Sequence, residues 1–468
     1  MSIFNSDTDV DVICRIIKTR CSKIHFIGIL GSGMLPLAAM LKSMGCEVTG
    51  SDANYSSNAR ASLLDGITVT PHRRINVWNK DLVVYSLAID EENTEFIAAR
   101  TLAIPLISRA QLLGALMLLY RVRVGVSGSH GKSTTVAVLD KILTTAGLSI
   151  TTLSGASLSD GTTYRLLGNE LVLYEACEYK DSFLRMFPTH QIITGIELDH
   201  TDYFACLDDV YSSFTKCASR ATDAVVINGD CPTAVGLIKA VGDKAISYGK
   251  GAGSDYKLTV GKTDNGTRHF SISKKADWRI DLETSLIGEF NLYNITAAVA
   301  MADVLGVDRD SIRNGVKSFH TIDRRLSLIG ELDGRKVFYD YAHHPTEITS
   351  VTDAVFDRCG EGTVVFRPHT FSRTKALWND FIEALCKPRF TILLDIYPAR
   401  EKEIDGITSA HLAKCIGKSA VRMEFCEVAQ YLIDMTEGPI ILMGAGDLDP
   451  VIDELRASPR FRSTSSDI

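Results

Sequence analysis

The sequence lacks an apolar run long enough to cross a bilayer, which takes about 20 consecutive apolar residues. Its longest apolar stretch, Leu112 to Tyr120, is much shorter, and we interpret it as a helix or a strand. The first residues, Met1 to Val10, carry Asp7 and Asp9 and no apolar core, so we expect no signal peptide. These absences predict a cytoplasmic protein that does not contact membranes.

Paired cysteines are also missing. The 11 cysteines are scattered singly, and none forms the Cys-x-x-Cys spacing of zinc sites. An odd number without a regular spacing is typical of a reducing compartment. We therefore predict free thiols and no structural zinc.

Positive charge is not in excess either. The net charge is −7 and the isoelectric point is near 5.9, which argues against a broad nucleic-acid-binding face. The composition is that of an ordinary globular protein, with 45% apolar and 23% charged residues. At 468 residues, the chain is too long for one core and predicts several domains.

A glycine-rich loop between a strand and a helix is the most informative feature that is present. Alternating valines predict a buried strand over 122–126, and the spacing of apolar residues predicts a helix over 135–145. Backbone N–H groups and the helix dipole converge on an anion at such a junction. We predict that the loop binds nucleotide phosphates through Gly128, Ser129, His130, Gly131, Lys132, Ser133 and Thr134.

Two side chains of this loop suit phosphoryl transfer. Lys132 is placed to reach the β- and γ-phosphates, and Ser133 to offer its hydroxyl to Mg²⁺. The strict pattern G-x-x-x-x-G-K-[ST] is not met, because Val126 stands where the first glycine belongs. A glycine turn with a solvated lysine is the alternative, but the strand–loop–helix context favours a nucleoside triphosphate.

A second glycine loop lies in a predicted strand–helix–strand unit over 24–49. Gly28, Gly31 and Gly33 give G-x-x-G-x-G instead of the dinucleotide pattern G-x-G-x-x-G, although Asp52 follows at the usual distance. We interpret this loop as a pyrophosphate site. An NAD-dependent oxidoreductase is an alternative that the glycine spacing disfavours.

Polar residues follow two further predicted strands of this region. Ser86 follows the buried run 82–85, and Arg109 follows the strand end at 105–108. Ligands of open α/β sheets bind at the carboxyl ends of the strands, where these residues are expected. For Arg109, a solvated surface charge is the alternative.

The middle of the chain predicts a magnesium–phosphate site. One buried strand leads into Glu175, and the next leads into Glu197, Asp199 and His200. Mg²⁺ takes a few protein ligands and completes its shell with phosphates and water. The stretch 256–284 alternates in polarity and predicts an antiparallel insertion.

Two asparagines precede or begin an alanine-rich helix predicted over 295–305. Asn291 and Asn294 are three residues apart and share one helix face. Their amides could pair with the edge of a base, or either asparagine could cap the helix. The sequence leaves both roles open.

The last part of the chain again alternates strands and helices, which predicts a third α/β domain. Its strand ends gather His343, His344, His369, Arg373 and Asp395. Core or surface histidines explain one such residue, but a cluster of ionisable groups favours a functional site.

Taken in order, these segments resemble the Mur ligase family from about Ile24 to Asp447. The His-His-Pro-Thr-Glu segment at 343–347 is the most specific, since it is typical of the alanine-adding branch. The matching segments are the two glycine loops, Gly50-Ser51-Asp52, Glu175, 197–203, Asn291/Asn294, Arg324-Arg325, 340–347 and 368–374.

The resemblance implies an ATP-dependent ligase of peptidoglycan precursor synthesis. ATP would phosphorylate the lactyl carboxylate of UDP-N-acetylmuramate, and the amine of L-alanine would displace phosphate from the acyl phosphate. The family motifs assign catalysis to Lys132, Glu175, His200, His344 and Arg373, and Mg²⁺ to Ser133, Glu175 and His200.

The resemblance also implies where the substrates bind. Asn291 and Asn294 would recognise adenine, and Arg324 or Arg325 would contact phosphate. Arg373 is the expected clamp for the alanine carboxylate. The substrate pocket is expected to comprise Gly31, Gly33, Ser51, Asp52, Ser86, Arg109, Tyr341, His343, His344, His369 and Arg373.

The expected architecture is α/β with three domains. They are a Rossmann-like UDP-binding domain over 1–118, a central phosphate-loop ATPase domain over 119–322, and a Rossmann-like domain over 323–468. A monomer or homodimer is expected, with no nucleic-acid partner. The alternatives are a ligase that recycles murein tripeptide and a non-catalytic paralogue that binds nucleotide or UDP-sugar.

Overall fold

Three α/β units, each with its own sheet, make up the computed structural model of the chain. The structure describes residues 8–19, 21–31, 33–55, 66–158, 160–274, 278–399, 401–435 and 437–463. The sheets hold five, ten and seven strands, so the predicted α/β class is confirmed. The boundaries proposed at 118 and 322 stay predictions. In the described part of the chain, no helix is long and apolar enough to cross a membrane.

The first sheet is entirely parallel, with strand order β3-β2-β1-β4-β5. Its central strands are almost wholly buried, as expected where helices cover both faces. The predicted strand–helix–strand unit is confirmed, and the apolar stretch at 112–120 is mainly helical. The strands β1–β5 are Lys23–Ile27, Glu47–Ser51, Thr68–Thr70, Leu82–Tyr85 and Leu106–Ser108, and the helices α1–α4 are Thr8–Lys18, Leu35–Ser43, Thr94–Thr101 and Arg109–Met117.

The second sheet contains the phosphate-loop strand near its middle. Its order is β15-β14-β13-β12-β11-β10-β6-β9-β7-β8. The strands β6–β15 are Val122–Ser127, Ile150–Leu153, Tyr164–Leu166, Leu171–Glu175, His190–Ile193, Ala224–Asn228, Ala245–Gly249, Tyr256–Asp264, Thr267–Lys274 and Trp278–Thr284. The helices α5–α9 are Lys132–Thr145, Leu207–Ser219, Gly236–Val241, Glu289–Val304 and Arg309–Lys317.

Two sequence predictions for this domain are resolved by the fold. The stretch 256–284 forms antiparallel strands, as predicted, but β13 also pairs in parallel with β12 and so extends the main sheet. Helix α8 begins at Glu289 with Gly288 as its N-cap. Asn291 and Asn294 therefore lie inside the helix, and the cap role left open for them is wrong.

The third sheet has the order β20-β19-β18-β21-β17-β16-β22, with a parallel centre and antiparallel pairing at β16. The strands β16–β22 are Ser327–Leu332, Arg335–Asp340, Thr363–Phe366, Phe390–Leu393, Ala420–Arg422, Ile440–Met443 and Phe461–Ser463. The helices α10–α15 are Pro345–Cys359, Phe371–Ala376, Trp378–Leu385, Ser409–Ile416, Phe425–Met435 and Asp449–Ala457. Short 3₁₀ segments occur at Arg74–Val77, Tyr179–Arg185 and Gly242–Lys244, and the second of them is interrupted by a kink at Lys180 and Asp181.

Candidate active site between the domains

The phosphate loop joins β6 to α5 and leaves the start of that helix uncapped. Gly131 is the N-cap residue, with φ of 81°, and no side chain hydrogen-bonds the first turn. A Cβ at Gly131 would lie 2.3 Å from Oδ1 of Asn294, so only glycine fits there. The free N–H groups and the helix dipole suit a phosphate group.

Lys132 forms a buried ion pair with Glu178 beside this loop. Its Nζ lies 3.0 Å from each carboxylate oxygen of Glu178 and 3.3 Å from the carbonyl oxygen of Ser129. Burial, the largest single influence, lowers the pKa of Lys132, but the charge and hydrogen bond of Glu178 together with the nearby Cys177 and Glu175 raise that pKa overall. Lys132 therefore remains a cation at the place where phosphate charge would develop.

The two glutamates of this region have different partners. Glu178 lies 3.5 Å from Nε2 of His200, whereas Glu175 accepts hydrogen bonds from Ser154 Oγ and the Gly155 N–H at 3.1 and 2.8 Å. Both bonds reach Oε1 of Glu175, so Oε2 is the oxygen that can bind a cation. The structure thus gives Glu178 a central position that the sequence analysis did not assign to it.

His130 of the phosphate loop lies at a contact between the central and third domains. Its Nδ1 lies 3.0 Å from Oε1 of Glu347, in the third domain, and its Nε2 lies 3.5 Å from Oε2 of Glu197. Burial would lower the pKa of His130, but these two carboxylates raise it to about 10. His344 packs next to it, with the ring centroids 4.9 Å apart.

Arg373 does not lie free in the pocket. Its Nε and Nη2 lie 2.8 and 2.7 Å from Oδ1 of Asp199, and its Nη1 lies 3.0 Å from Nδ1 of His369. The predicted clamp on the alanine carboxylate therefore requires an exchange of partners. Burial, assisted by Arg373, lowers the pKa of His343 to about 4 and that of His369 to about 3, so both rings are neutral at pH 7.

Of the two adjacent arginines, only Arg325 reaches the phosphate loop. Its Nη2 lies 3.4 Å from Oγ of Ser133, and its guanidinium lies over the ring of Tyr341. Arg324 instead binds Asp449 at 2.8 Å. The position of Arg325 fits the predicted phosphate contact, whereas Arg324 points to Asp449 and its assignment as a nucleotide ligand stays a prediction.

Asp395 is also excluded from the histidine cluster. It lies on the protein surface, where Arg422 binds its carboxylate. The sequence placed it in the site because it follows a strand, but its side chain turns outward.

Residues of the phosphate loop and of the neighbouring strand ends line two large clefts. The first, about 780 Å³, lies between the central and third domains and is lined by His130, Gly131, Thr134, Asn291, Asn294 and Arg325, among others. Both asparagines are already hydrogen-bonded: Asn291 donates to the carbonyl of Ile287, and Asn294 donates to Asn291. Their role in adenine recognition stays a prediction.

The second cleft, about 900 Å³, opens over the first sheet and reaches Glu175 of the central domain. Asp52 braces its glycine loop by accepting a hydrogen bond from the Leu30 N–H at 3.0 Å. A Cβ at Gly33 would lie 3.1 Å from the Arg109 side chain, so loop and arginine are in contact. The predicted residues that line this cleft are Gly31, Gly33, Asp52, Ser86 and Arg109.

Ser51 lies beneath this cleft instead of in its wall. Its side chain is 0% exposed, and its hydroxyl donates to the buried carboxylate of Glu95. His72, which does line the cleft, also contacts Glu95, at 3.0 Å. Ser51 thus supports the floor of the cleft, and its assignment as a substrate ligand stays a prediction.

Three acidic residues at the domain contacts have partners that the sequence analysis did not predict. Glu197 and Asp199 were predicted only as strand-end carboxylates near a magnesium–phosphate site, and Glu347 appeared only as part of a motif. Glu347 also accepts from the backbone N–H of His344 in a capping box at the start of α10. The pattern Ser/Thr-x-x-Glu usually signals such a box, and His344 in the cap position hides it.

Comparisons with known proteins agree with this arrangement. The family model described as the Mur ligase family, catalytic domain, matches residues 23–121, and the Mur ligase middle domain matches residues 126–302. A UDP-N-acetylmuramate–L-alanine ligase of Caldanaerobacter subterraneus is 36% identical, over 91% of this chain and 95% of its own. One from Agathobacter rectalis is 35% identical, over 92% and 97%.

Solved structures match over similar lengths. The crystal structure of the UDP-N-acetylmuramate-alanine ligase of Thermotoga maritima has a TM-score of 0.75 at 26% identity, covering 93% of this chain and 97% of its own. A murein peptide ligase of Psychrobacter arcticus, at 20% identity, TM-score 0.69 and coverages of 93% and 98%, shares the fold. Because relatives above 30% identity align with nearly the whole of this chain, the chain belongs to the Mur ligase family.

Proposed function

We propose that this chain joins L-alanine to the lactyl carboxylate of UDP-N-acetylmuramate, with ATP converted to ADP and phosphate. The reaction belongs to the synthesis of peptidoglycan precursors, and we place it in the cytoplasm. We expect the enzyme to act as a monomer or homodimer. The names of the relatives that align over the whole length support this choice of substrates.

The observation that carries the proposal is the junction of the two clefts. Strands β6 and β9 are parallel neighbours, with Val126 opposite Glu175. The phosphate loop follows β6 and lines the cleft toward the third domain, while Glu175 ends β9 and lines the cleft over the first sheet. A nucleotide and a UDP-sugar bound in these clefts would meet at adjacent strand ends.

In the first step, an oxygen of the lactyl carboxylate attacks the γ-phosphorus, and the bond to the β-phosphate oxygen breaks. Such a transfer depends on positioning and on charge stabilisation. Lys132 and the free N–H groups of α5 supply positive charge to the phosphoryl oxygens. Arg325, beside Ser133, adds a second cation from the third domain.

In the second step, the amine of L-alanine attacks the carbonyl carbon of the acyl phosphate. A tetrahedral intermediate forms, phosphate leaves with the electrons of the C–O bond, and the nitrogen loses a proton. We assign amino-acid binding to Tyr341, His343, His369 and Arg373, which lie together beside Asp199. The neutral rings of His343 and His369 leave Arg373 as the cation of this group.

We propose that a magnesium ion binds between the phosphate loop and the neighbouring strand ends. The hydroxyl of Ser133, Oε2 of Glu175 and the imidazole of His200 are the groups that would hold it, with phosphate oxygens and water completing its shell. When bound, Mg²⁺ neutralises phosphate charge. Glu178 has both oxygens engaged by Lys132, and so we assign it to the lysine instead of the metal.

Release of inorganic phosphate from ATP tests the proposal. The assay contains Mg²⁺ and UDP-N-acetylmuramate with L-alanine, L-serine, glycine or murein tripeptide. We expect release only when the UDP-sugar and L-alanine are both present. Release with the tripeptide would indicate a recycling ligase, and binding of ATP or UDP-sugar without release would indicate a non-catalytic paralogue.

A further inference from the structure

We propose that His130, Glu197 and His344 form a binding site for a divalent transition metal such as Zn²⁺. The site is separate from the predicted magnesium ligands. Among the described residues, these three are the one cluster of metal-ligating side chains whose ligand atoms all lie within 4.8 Å of one another. Two of them belong to the central domain and one to the third, so the metal would join two domains.

The distances match a coordination shell. Zn–N and Zn–O bonds of about 2.1 Å place neighbouring ligand atoms of a tetrahedral site roughly 3.4 Å apart. Nε2 of His130 lies 3.5 Å from Oε2 of Glu197, and Nδ1 of His344 lies 3.8 Å from the same oxygen. The ligand atoms of all three residues lie within 4.8 Å of one another, so the two imidazoles would close by at most about 1.4 Å around an ion.

In each imidazole ring, we call the nitrogen that faces Glu197 the inner nitrogen and the other one the outer nitrogen. The outer nitrogens of His130 and His344 have the partners that usually orient metal-bound histidines. Nδ1 of His130 contacts the carboxylate of Glu347 at 3.0 Å, and Nε2 of His344 contacts the carbonyl oxygen of Leu198 at 3.2 Å. In a metal-bound ring, a carboxylate or carbonyl in this position holds the proton on the outer nitrogen and leaves the lone pair of the inner nitrogen to the metal.

The inner nitrogens are the two that face Glu197. The raised pKa of His130 keeps a proton on its Nε2 at pH 7, and a metal ion that binds there would displace this proton. Nε2 of His130 is buried and makes no hydrogen bond, which is costly unless a ligand binds there. Nδ1 of His344 accepts only a long hydrogen bond, 3.3 Å, from the Thr346 N–H. A metal would replace that bond and satisfy both rings.

The ligand set selects the class of metal. Two imidazoles and one carboxylate suit Zn²⁺, Co²⁺ or Ni²⁺, whereas Mg²⁺ prefers oxygen ligands. His130 and Glu197 also line the cleft between the domains, so a fourth position can be filled from that side. A bound metal would hold the phosphate loop against the start of α10, and so we expect it to oppose domain opening and inhibit turnover reversibly.

Cobalt binding tests the site without relying on activity. The full-length protein is saturated with Mg²⁺ and titrated with Co²⁺, and the visible absorption of the bound ion is recorded. Competition with a chromogenic chelator then gives the affinity for Zn²⁺. The variants are His130→Gln, His344→Ala and Glu197→Gln, with His200→Ala as a control at the magnesium site. His269→Ala removes a surface histidine that also lies near a glutamate, Glu283, and serves as the matched control.

We expect one Co²⁺ per chain with the absorption of a four- or five-coordinate ion. His130→Gln and His344→Ala should weaken Zn²⁺ binding more than about 100-fold, beyond the range typical of outer-shell changes. Both controls should bind like the wild-type protein. If His200→Ala abolishes binding while His130→Gln retains it, the metal belongs to the magnesium site. If no variant differs from His269→Ala, the cluster is an ion-pair contact centred on protonated His130, and the proposal fails.

Discussion

Arg373 and Asp199 form a buried ion pair that joins the third domain to the central domain. Both nitrogens that bind Asp199 lie within 2.8 Å of one carboxylate oxygen, and the two side chains are 6% and 5% exposed. Asp199 stands next to His200, and its Oδ1 also accepts a 2.7 Å hydrogen bond from the backbone N–H of that residue. The amino-acid pocket and the phosphoryl site are therefore mechanically connected.

Loss of either partner should impair the enzyme through this shared contact. A buried charge left without its partner costs about 3–5 kcal/mol. We expect Arg373→Ala and Asp199→Asn each to lower kcat/KM for L-alanine, and the double variant to cost less than the sum, with a coupling of at least about 1.5 kcal/mol. Steady-state phosphate release by the wild-type protein, the two single variants and the double variant gives this coupling energy.

Lys375→Ala, on the exposed side of the same short helix, is the control for Arg373 and should be neutral. Additive effects would argue against the shared contact. In that case, if Arg373→Ala raises the KM for L-alanine and Asp199→Asn leaves it unchanged, Arg373 binds the substrate carboxylate without help from Asp199.

Lys132→Ala should abolish most turnover. The variant removes the cation beside the phosphate loop, and the loss of one such electrostatic donor costs roughly 100- to 1,000-fold in kcat. Lys141→Ala changes a lysine of the same helix, α5, that does not contact the loop, and it should leave kcat unchanged. Near-normal turnover of Lys132→Ala in the phosphate-release assay would remove the phosphate-loop assignment.

Variants of Glu175 and Glu178 should differ in how their activity depends on the concentration of Mg²⁺. Because Oε2 of Glu175 is the oxygen left for a cation, Glu175→Gln should raise the Mg²⁺ concentration for half-maximal activity by at least about tenfold, as for lost metal-site groups. Glu178→Gln should instead lower kcat and the thermal midpoint, since it leaves the buried ammonium of Lys132 unpaired. A Mg²⁺ titration that shows the opposite assignment would make Glu178 the metal ligand.

Arg109 should act on the UDP-sugar alone. It lies against Gly33 in the cleft over the first sheet, where a guanidinium can bind a diphosphate. A lost hydrogen bond to a charged group costs about 1.5–3 kcal/mol, so Arg109→Ala should raise the KM for UDP-N-acetylmuramate roughly 10- to 150-fold with little change for ATP. Arg100→Ala, an exposed arginine of α3, is the control. An equal effect on ATP would place Arg109 outside the UDP-sugar site.

Much of the fold was predictable because it depends on local signals. Buried strands of parallel sheets are near-continuous apolar runs, and glycine loops mark where such strands end, so the strands around Gly31 and Gly131 were found within a residue or two. The carboxyl ends of these strands then located both clefts.

The directions of the side chains at those strand ends were not predictable. Ser51 ends a strand, and Asp395 and Arg109 each follow one, yet Ser51 points into the core and Asp395 into solvent. The pairing of Arg373 with Asp199 depends on how two domains pack, which a single sequence does not encode in any local pattern. The same holds for Glu347, whose partner His130 is 217 positions away.

Glu95 illustrates how the first domain supports its cleft. Its carboxylate is 0% exposed and accepts hydrogen bonds from Ser51, His72, Asn76 and the Arg73 N–H. Burial alone would raise the pKa of Glu95, but side-chain hydrogen bonds outweigh it and lower the pKa to about 2. A fully buried carboxylate with this many donors fixes the floor of the UDP-sugar cleft.

The depressed pKa of Glu95 makes the stability of this domain sensitive to acid. A carboxyl whose pKa is lowered by folding stabilises the fold above its unfolded pKa, near 4.5, and loses that contribution as the pH falls through about 2. At about 1.4 kcal/mol per pH unit, the contribution is on the order of 3 kcal/mol. We expect Glu95→Gln to lower the thermal midpoint strongly at pH 7 and much less at pH 3. Glu91→Gln, on an exposed neighbour, should have no effect at either pH. If the deficit of Glu95→Gln were the same at both values, the ionised carboxylate would not be what stabilises this domain.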